Sequence, residues 1–262
     1  MLDFVLNFLF PPVCGICGKL DTNWLCDKCR KRLKEYEKFE LLQTKEEINK
    51  LFNFKNAETN IIEKFINNEQ DMNIYFDEFL YCFEYKKLIR NLLLKYKFSD
   101  CAYLSNMFGN VILNNKKSNE IFEKYDIMIP VPMDKIKMLR RGYNQTELII
   151  KYLEKKVNSK SDLDSKIDII KNVENKNYNT IIINNNILIK NRNTKTQSTL
   201  NADERIKNIE NAFEVKDIEK IKNKRIILFD DIATTGSTVN EISKILKAAG
   251  ASKILVLVIA KD

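Results

Sequence analysis

From residue 81 onward, apolar positions alternate between two spacings. Stretches with apolar residues three and four apart predict helices, and short continuous apolar runs predict buried strands. Leu88, Leu92 and the segment 95–98 belong to a helix starting near Lys86. Residues 126–131 read as a buried strand stopped by Pro130 and Pro132. Asn144 and Glu147 have the spacing of a capping box, which opens a helix over 146–156. Short strands are expected at 187–189 and 212–215, and a buried one at 225–229. A helix over 238–249 carries Val239, Ile242, Ile245, Leu246 and Ala249, with Gly250 as its C-cap. The last strand is 254–260. This order of helices and strands predicts an α/β fold, an open parallel sheet flanked by helices.

The first 80 residues are patterned differently. Residues 1–40 hold a cysteine cluster and are expected to form a small module. Residues 41–80 are polar and charged without a clear period, and read as a helical or loop linker to a main domain over 81–262. Within that domain, 157–186 is rich in Asn, Lys and Ser, and reads as an insertion with one apolar triplet at 181–183. Leu2, Val5, Leu6 and Leu9 form one face of a short helix. The start lacks the basic region and cleavage site of a signal peptide, and no apolar run reaches membrane-spanning length. A cytoplasmic protein is expected.

The densest chemistry lies at 226–238. Four apolar residues, Ile226, Ile227, Leu228 and Phe229, lead to Asp230 and Asp231. Then Ala233, Thr234, Thr235, Gly236, Ser237 and Thr238 form a turn into the helix. Ligands of open parallel sheets gather at the carboxyl ends of the strands. Such a turn aims backbone N–H groups and hydroxyls at one point, and the helix N-terminus adds partial positive charge. A phosphate monoester fits there, with Gly236 allowing close approach. The aspartates can accept hydrogen bonds from ribose hydroxyls, or hold Mg²⁺ together with substrate oxygens. The bland alternative is a strand end, a turn and a capped helix with no ligand. A phosphoacceptor aspartate also sits at a strand end, but does not need this turn.

Two further groups of residues carry chemistry. Cys14-x-x-Cys17 and Cys26-x-x-Cys29 are separated by eight residues. Two such knuckles can close a tetrahedral Zn²⁺ site, structural because protein fills all four positions. A redox pair is the competing reading, but it needs one C-x-x-C opening a helix after a strand. Cys82 and Cys101 read as buried apolar residues. Around the knuckles, Lys28, Arg30, Lys31, Arg32 and Lys34 lie near Trp24 and Tyr36. That combination suits single-stranded nucleic acid, or forms the solvated face of an amphipathic helix with Leu33 inward.

Composition narrows the picture. The 262 residues carry a net charge of +8, which suits an anionic partner or a plain basic surface. The absence of histidine excludes His-based acid–base catalysis, Ser-His-Asp triads and His metal ligands. No placement of the six glycines yields a dinucleotide fingerprint or a Walker loop.

Residues 226–238 resemble the phosphoribosyl pyrophosphate (PRPP) motif of type I phosphoribosyltransferases. Pro130-Val131-Pro132 followed by Arg141-Gly142-Tyr143-Asn144-Gln145 resembles a signature of the ComF family. Arg192, Thr196, Gln197, Leu200, Arg205, Asn208, Ala212 and Phe213 resemble its second characteristic stretch. Tyr85, Ile89, Arg90, Lys95 and Tyr96 resemble its helix before the core. The cysteine cluster matches as well. Two departures are visible: one set of cysteines where some members carry two zinc ribbons, and the long insertion at 157–186.

The resemblance implies a type I phosphoribosyltransferase fold with a small N-terminal zinc ribbon held by four cysteines. It implies that Asp230 and Asp231 bind ribose hydroxyls and that 233–238 cradle the 5-phosphate. The basic loop 133–142, with Lys135, Lys137, Arg140, Arg141 and Gly142, corresponds to the pyrophosphate loop. Arg192, Lys195, Gln197 and Arg205 fall in the stretch corresponding to a mobile loop. The expected chemistry is Mg²⁺-dependent transfer of phosphoribosyl to an unidentified acceptor, bound under a hood built from 81–104. The family is also implicated in uptake of single-stranded DNA. The alternative is therefore a DNA-uptake factor that binds single strands and works with the uptake machinery, its PRPP site non-catalytic or regulatory.

Overall fold

The computed structural model of the chain describes residues 11, 13–21, 24–54, 73–99, 101–158, 182–183, 187–191 and 212–262. The helices of these residues are α1 (Asp27–Lys34), α2 (Lys45–Phe52), α3 (Lys87–Phe98), α4 (Leu104–Leu113), α5 (Lys116–Lys124), α6 (Lys135–Arg141), α7 (Gln145–Asn158) and α8 (Ser237–Ala248). The strands are β1 (Glu37–Leu42), β2 (Glu78–Glu84), β3 (Ile127–Pro130), β4 (Ile182–Ile183), β5 (Leu188–Lys190), β6 (Phe213–Val215), β7 (Arg225–Ala233) and β8 (Lys253–Lys261).

Among the described residues, six strands form one sheet in the order β1-β2-β8-β7-β3-β4. All neighbours are parallel except β1, which runs antiparallel to β2. The sheet is therefore mixed, a parallel sheet with one antiparallel edge strand. The central strands have no solvated face. In β8, every residue from Ile254 to Ala260 is buried, as expected for a strand covered on both sides. Alternation along β7 sends Ile227 and Phe229 into one apolar cluster, with α3, α4 and α7, and Ile226 and Leu228 into the other, with α8.

The strongly periodic elements stand where the pattern placed them, with shifted ends. The expected strand at 225–229 continues through both aspartates to Ala233, which pairs with Lys261. Helix α8 ends in a Schellman motif. Gly250 takes φ +89, its N–H bonds the Lys247 carbonyl at 2.9 Å, and the Ala251 N–H bonds the Leu246 carbonyl at 3.0 Å. Helix α7 begins at Gln145, one residue earlier than expected, because the Asn144 side chain accepts from the Thr146 N–H at 3.2 Å. The Asn144 amide also donates to Glu147 Oε1 at 3.1 Å.

Two expectations are corrected. The stretch 133–142 is not a loop but contains α6. Asp134 caps its start, accepting from Ile136 N at 2.9 Å, and Gly142 ends it in the left-handed region. The stretch 41–80 is not merely helix and loop. It holds the end of β1, all of α2 behind a complete Thr44–Glu47 capping box, and the start of β2. Both strands join the main sheet, so the edge is built partly from the segment read as a linker. The short strands expected at 187–189 and 212–215 appear as β5 and β6, which pair with each other away from the main sheet. Ile182–Ile183, from the apolar triplet, pairs parallel with β3. The expected N-terminal helix, the rest of the insertion beyond residue 158, and Arg192, Lys195, Gln197 and Arg205 lie outside the described residues. No helix among the described residues is long and apolar enough to cross a membrane.

Candidate functional site

Strand β7 and helix α8 meet in a turn that needs glycine twice over. Gly236 is the N-cap of α8 at φ +73, the left-handed region that side chains avoid. A Cβ there would also meet Phe54 Cζ at 2.8 Å and Phe52 Cδ1 at 2.9 Å. The glycine supplies no side chain to cap the helix, so α8 begins without a side-chain cap. Before it, the Thr235 and Ser237 hydroxyls stand 2.8 Å apart, and the Ser237 N–H lies 3.4 Å from Thr235 Oγ1. Asp230 and residues 232–239 line a pocket here. Polar lining and an uncapped helix N-terminus are the features by which a helix start can accept an anion.

The two acids play separate parts. Asp230 faces this pocket, while Asp231 Oδ1 accepts from Lys97 Nζ at 2.8 Å. The Lys97–Asp231 pair is nearly out of solvent, with side chains 17% and 12% exposed. Burial raises the Asp230 carboxyl to about 7, and the adjacent Asp231 charge pushes the same way. Lys97 and the Asp231 N–H, which donates to Asp230 Oδ1 at 2.8 Å, pull against that rise.

Cations gather on the Asp231 side. Arg141, at the end of α6, donates to Gln145 Oε1 at 3.0 Å and stands 5.0 Å over the Phe98 ring. Burial lowers its pKa, and the charge of Asp231 opposes that. Lys137 is also lowered by burial, with Arg141 and Lys97 adding to the effect and Asp134 opposing it. Arg140 and Gly142 are exposed. Gly142 has open space where a Cβ would stand, so its φ of +76 at the helix end is what calls for glycine. Beneath this corner, Tyr96 and Tyr143 lock α3 to the start of α7. Tyr96 donates to the Gln145 carbonyl at 2.8 Å, and Tyr143 donates to the Tyr96 carbonyl at 2.6 Å.

The sequence pattern did not single out Lys97 as part of this site. Its partner lies 134 residues away, so no local spacing links them. Phe52 and Phe54, which press against Gly236, were hidden for the same reason.

The cysteine cluster is compact. The Sγ atoms of Cys14, Cys17, Cys26 and Cys29 all lie within 4.8 Å of one another, and those of Cys17 and Cys26 are 3.8 Å apart. A tetrahedron with Zn–S bonds of about 2.3 Å has S···S edges of about 3.8 Å, so these thiols fit zinc. Burial disfavours the Cys14 thiolate, but N–H groups of Cys17, Cys26 and Ile16 outweigh it and hold the pKa at about 7. Backbone donors aimed at a sulfur are what a metal-bound thiolate needs. The knuckle packs on the main domain: a Cβ on Gly15 would lie 2.5 Å from Leu104 Cδ2, and Trp24 stacks on Tyr103 at 6.0 Å. Cys82 is fully buried, its thiol pKa pushed up by burial, whereas Cys101 is partly exposed and donates to the Ser99 carbonyl at 3.2 Å. On α1, Cys29 and Leu33 point inward, and Lys28, Lys31, Arg32 and Lys34 are exposed.

Fold and pocket together define a phosphoribosyltransferase domain, and the phosphoribosyl transferase domain family matches residues 184–262. The similar proteins include competence proteins F and ComFC, and this chain carries a four-cysteine cluster near its N-terminus. Competence protein F of Haemophilus influenzae is 28% identical over 174 residues, 65% of this chain and 66% of its own. The DNA utilization protein YhgH of Escherichia coli K12 is 25% identical over 64% of this chain and 63% of its own. Competence protein ComFC of Streptococcus pneumoniae is 24% identical over 66% of this chain and 63% of its own. The chain thus spans just under two thirds of the length of these relatives. Among solved structures, an allosteric regulatory enzyme of purine biosynthesis aligns over 61% of this chain and 25% of its own, at 19% identity and TM-score 0.32.

Proposed function

We propose that this protein binds PRPP or ribose 5-phosphate with Mg²⁺ and transfers phosphoribosyl to an acceptor not yet identified. The observation that carries the reading is the pocket at the uncapped start of α8, with Asp230 in its wall. In this reading the 5-phosphate sits against the N–H groups and hydroxyls of 233–238. Asp230 accepts from a ribose hydroxyl, and Asp231, the next residue of β7, is assigned the second hydroxyl by the resemblance. The pair also suits a divalent metal. Both ligands are hard oxygens, of the kind that Mg²⁺ takes together with substrate oxygens. Mg²⁺, when bound, supplies charge that stabilises the departing pyrophosphate.

The chain's own residues do the rest. Arg141, with its bidentate-capable guanidinium, holds the pyrophosphate end, and Arg140 and Gly142 border it. The bond from the anomeric carbon to pyrophosphate breaks, one from that carbon to the acceptor nucleophile forms, and the acceptor releases its proton to solvent. No protein nucleophile is required, so positioning and charge stabilisation carry the catalysis. Arg192, Gln197 and Arg205 are assigned to the loop that closes over the substrate. Zinc bound by the four cysteines has a structural role, and the site of action is the cytoplasm.

Calorimetric titration of PRPP with Mg²⁺ into the wild type and Asp230→Asn tests this. Binding that the variant loses supports it. A folded, zinc-loaded wild type that takes up no PRPP refutes it.

The exposed basic side chains of α1 favour a second, compatible reading, and the names of the relatives agree with it. In that reading the protein binds single-stranded DNA as part of an uptake machinery. Oligonucleotide retention should then weaken with salt, with a slope of about −0.7 per phosphate contacted. Salt-independent or absent retention rejects it.

A further inference from the structure

We propose that Lys97 is a positioning residue that competes with the divalent metal for Asp231, so that metal joins the site only together with a phosphosugar. The inference rests on the proposed metal-assisted reading of the acid pair and extends it to a residue outside the motif.

Lys97 is placed for this by its own helix. Tyr96, fully buried, is held on one side by its hydroxyl on the Gln145 carbonyl and on the other by Tyr143 on its own carbonyl. Helix α3 ends immediately after, the Ser99 N–H closing on the Lys95 carbonyl at 3.0 Å. Lys97 is thus delivered at a fixed point, and its ammonium meets Asp231 Oδ1 at 2.8 Å. The pair is largely desolvated, which strengthens the attraction over that of a surface pair.

The ammonium stands where a metal would need the Asp231 oxygen. Mg²⁺ takes one or two carboxylates plus substrate oxygens. A bare metal must therefore displace Lys97 and accept the repulsion of Arg141, whose field reaches the same acid. A phosphosugar changes the balance in two ways. Its phosphate oxygens add ligands to the metal, and its leaving-group phosphates give Lys97 another anion to meet. Metal and phosphosugar then favour each other's binding, and the coupling runs equally in both directions.

The test uses the zinc-loaded full chain and Mn²⁺ alone, counted by its electron paramagnetic resonance. Mn²⁺ suits oxygen ligands and leaves the thiolates to zinc. The wild type should bind Mn²⁺ weakly. Lys97→Met should bind it about tenfold or more tightly, from removal of a full charge beside the ligand. Lys97→Arg should behave as the wild type, and Asp231→Asn added to Lys97→Met should return affinity to the wild-type level. If Lys97→Met is too unstable for titration, Mn²⁺ should raise its Tm while leaving the wild type unmoved, because the metal replaces the lost counter-ion. Equal Mn²⁺ affinity in wild type and Lys97→Met, or no rise in Tm, overturns the inference. PRPP calorimetry of the wild type separately reads the proposed function. The Mn²⁺ arm reports on Lys97 whichever way that calorimetry falls.

Discussion

Gly236→Ala should damage stability and ligand binding together, and the structure lets the damage be apportioned. At φ +73 a non-glycine residue is strained by roughly 1–2 kcal/mol. The new methyl would also stand 2.8 Å from Phe54 Cζ and 2.9 Å from Phe52 Cδ1, closer than carbon atoms tolerate. Phe54 is buried, and Phe52 stacks on it with centroids 5.2 Å apart, so neither ring is free to swing away. Overpacking of this kind costs about 1–3 kcal/mol. The two effects sum to roughly 2–5 kcal/mol, which for a chain of this size is a fall in Tm on the order of 5–15 °C. Urea and thermal unfolding measure the sum. Repeating them in a Phe52→Leu background separates the parts, since the smaller side chain removes the ring contact but leaves the backbone strain. PRPP affinity should fall in both backgrounds because the turn itself is distorted. A Gly236→Ala protein with unchanged Tm and full binding would refute the account of this turn. An effect independent of Phe52 would leave backbone strain and Phe54 as its cause.

Two further outcomes are expected. Cys14→Ser should lose zinc, shown by metal content near zero. Limited proteolysis should then cut 13–36 before the main sheet unfolds, since structural zinc is worth roughly 10–16 kcal/mol to such modules; unchanged protection would count against a structural metal. Arg225 hydrogen bonds hold Asp126 below the usual carboxylate range, through contacts of 2.7 and 3.1 Å and a backbone N–H at 2.8 Å. Because the folded pKa is depressed, this contribution is complete above the unfolded value of about 3.9 and is lost as pH falls through the folded one. Asp126→Asn should therefore destabilise by on the order of 1 kcal/mol at pH 7, modest because Arg225 is 43% exposed, with the gap from wild type closing as the pH falls below the usual carboxylate range. A gap that widens in acid would reverse the assigned sign.

The features legible along the chain are those whose partners are close in sequence. The phosphate turn is one. Its hydroxyls, glycine and helix start occupy consecutive positions, so the lining of this pocket is written locally from Asp230 to Thr238. The two cysteine knuckles are another, and their sulfurs do converge. The Schellman end of α8 and the Asn144 cap of α7 are likewise short-range bonds with recognisable residues.

Elements that bury nothing left weaker traces. Helix α6 has no buried residue, so it carries no apolar period and reads as loop, although Asp134 and Gly142 marked its two ends. Strands β1 and β2 sit beside or within a polar stretch and become sheet because β8 offers β2 an edge with unpaired backbone groups and β2 then offers one to β1. The roles of the two acids were settled by packing. Consecutive strand residues point to opposite faces, so Asp230 meets the phosphate turn and Asp231 meets Lys97. Charge pairs and ring contacts across 134 residues, or across the gap from Phe52 to Gly236, follow no period, because they arise only once parallel crossovers bring distant helix ends to one sheet edge.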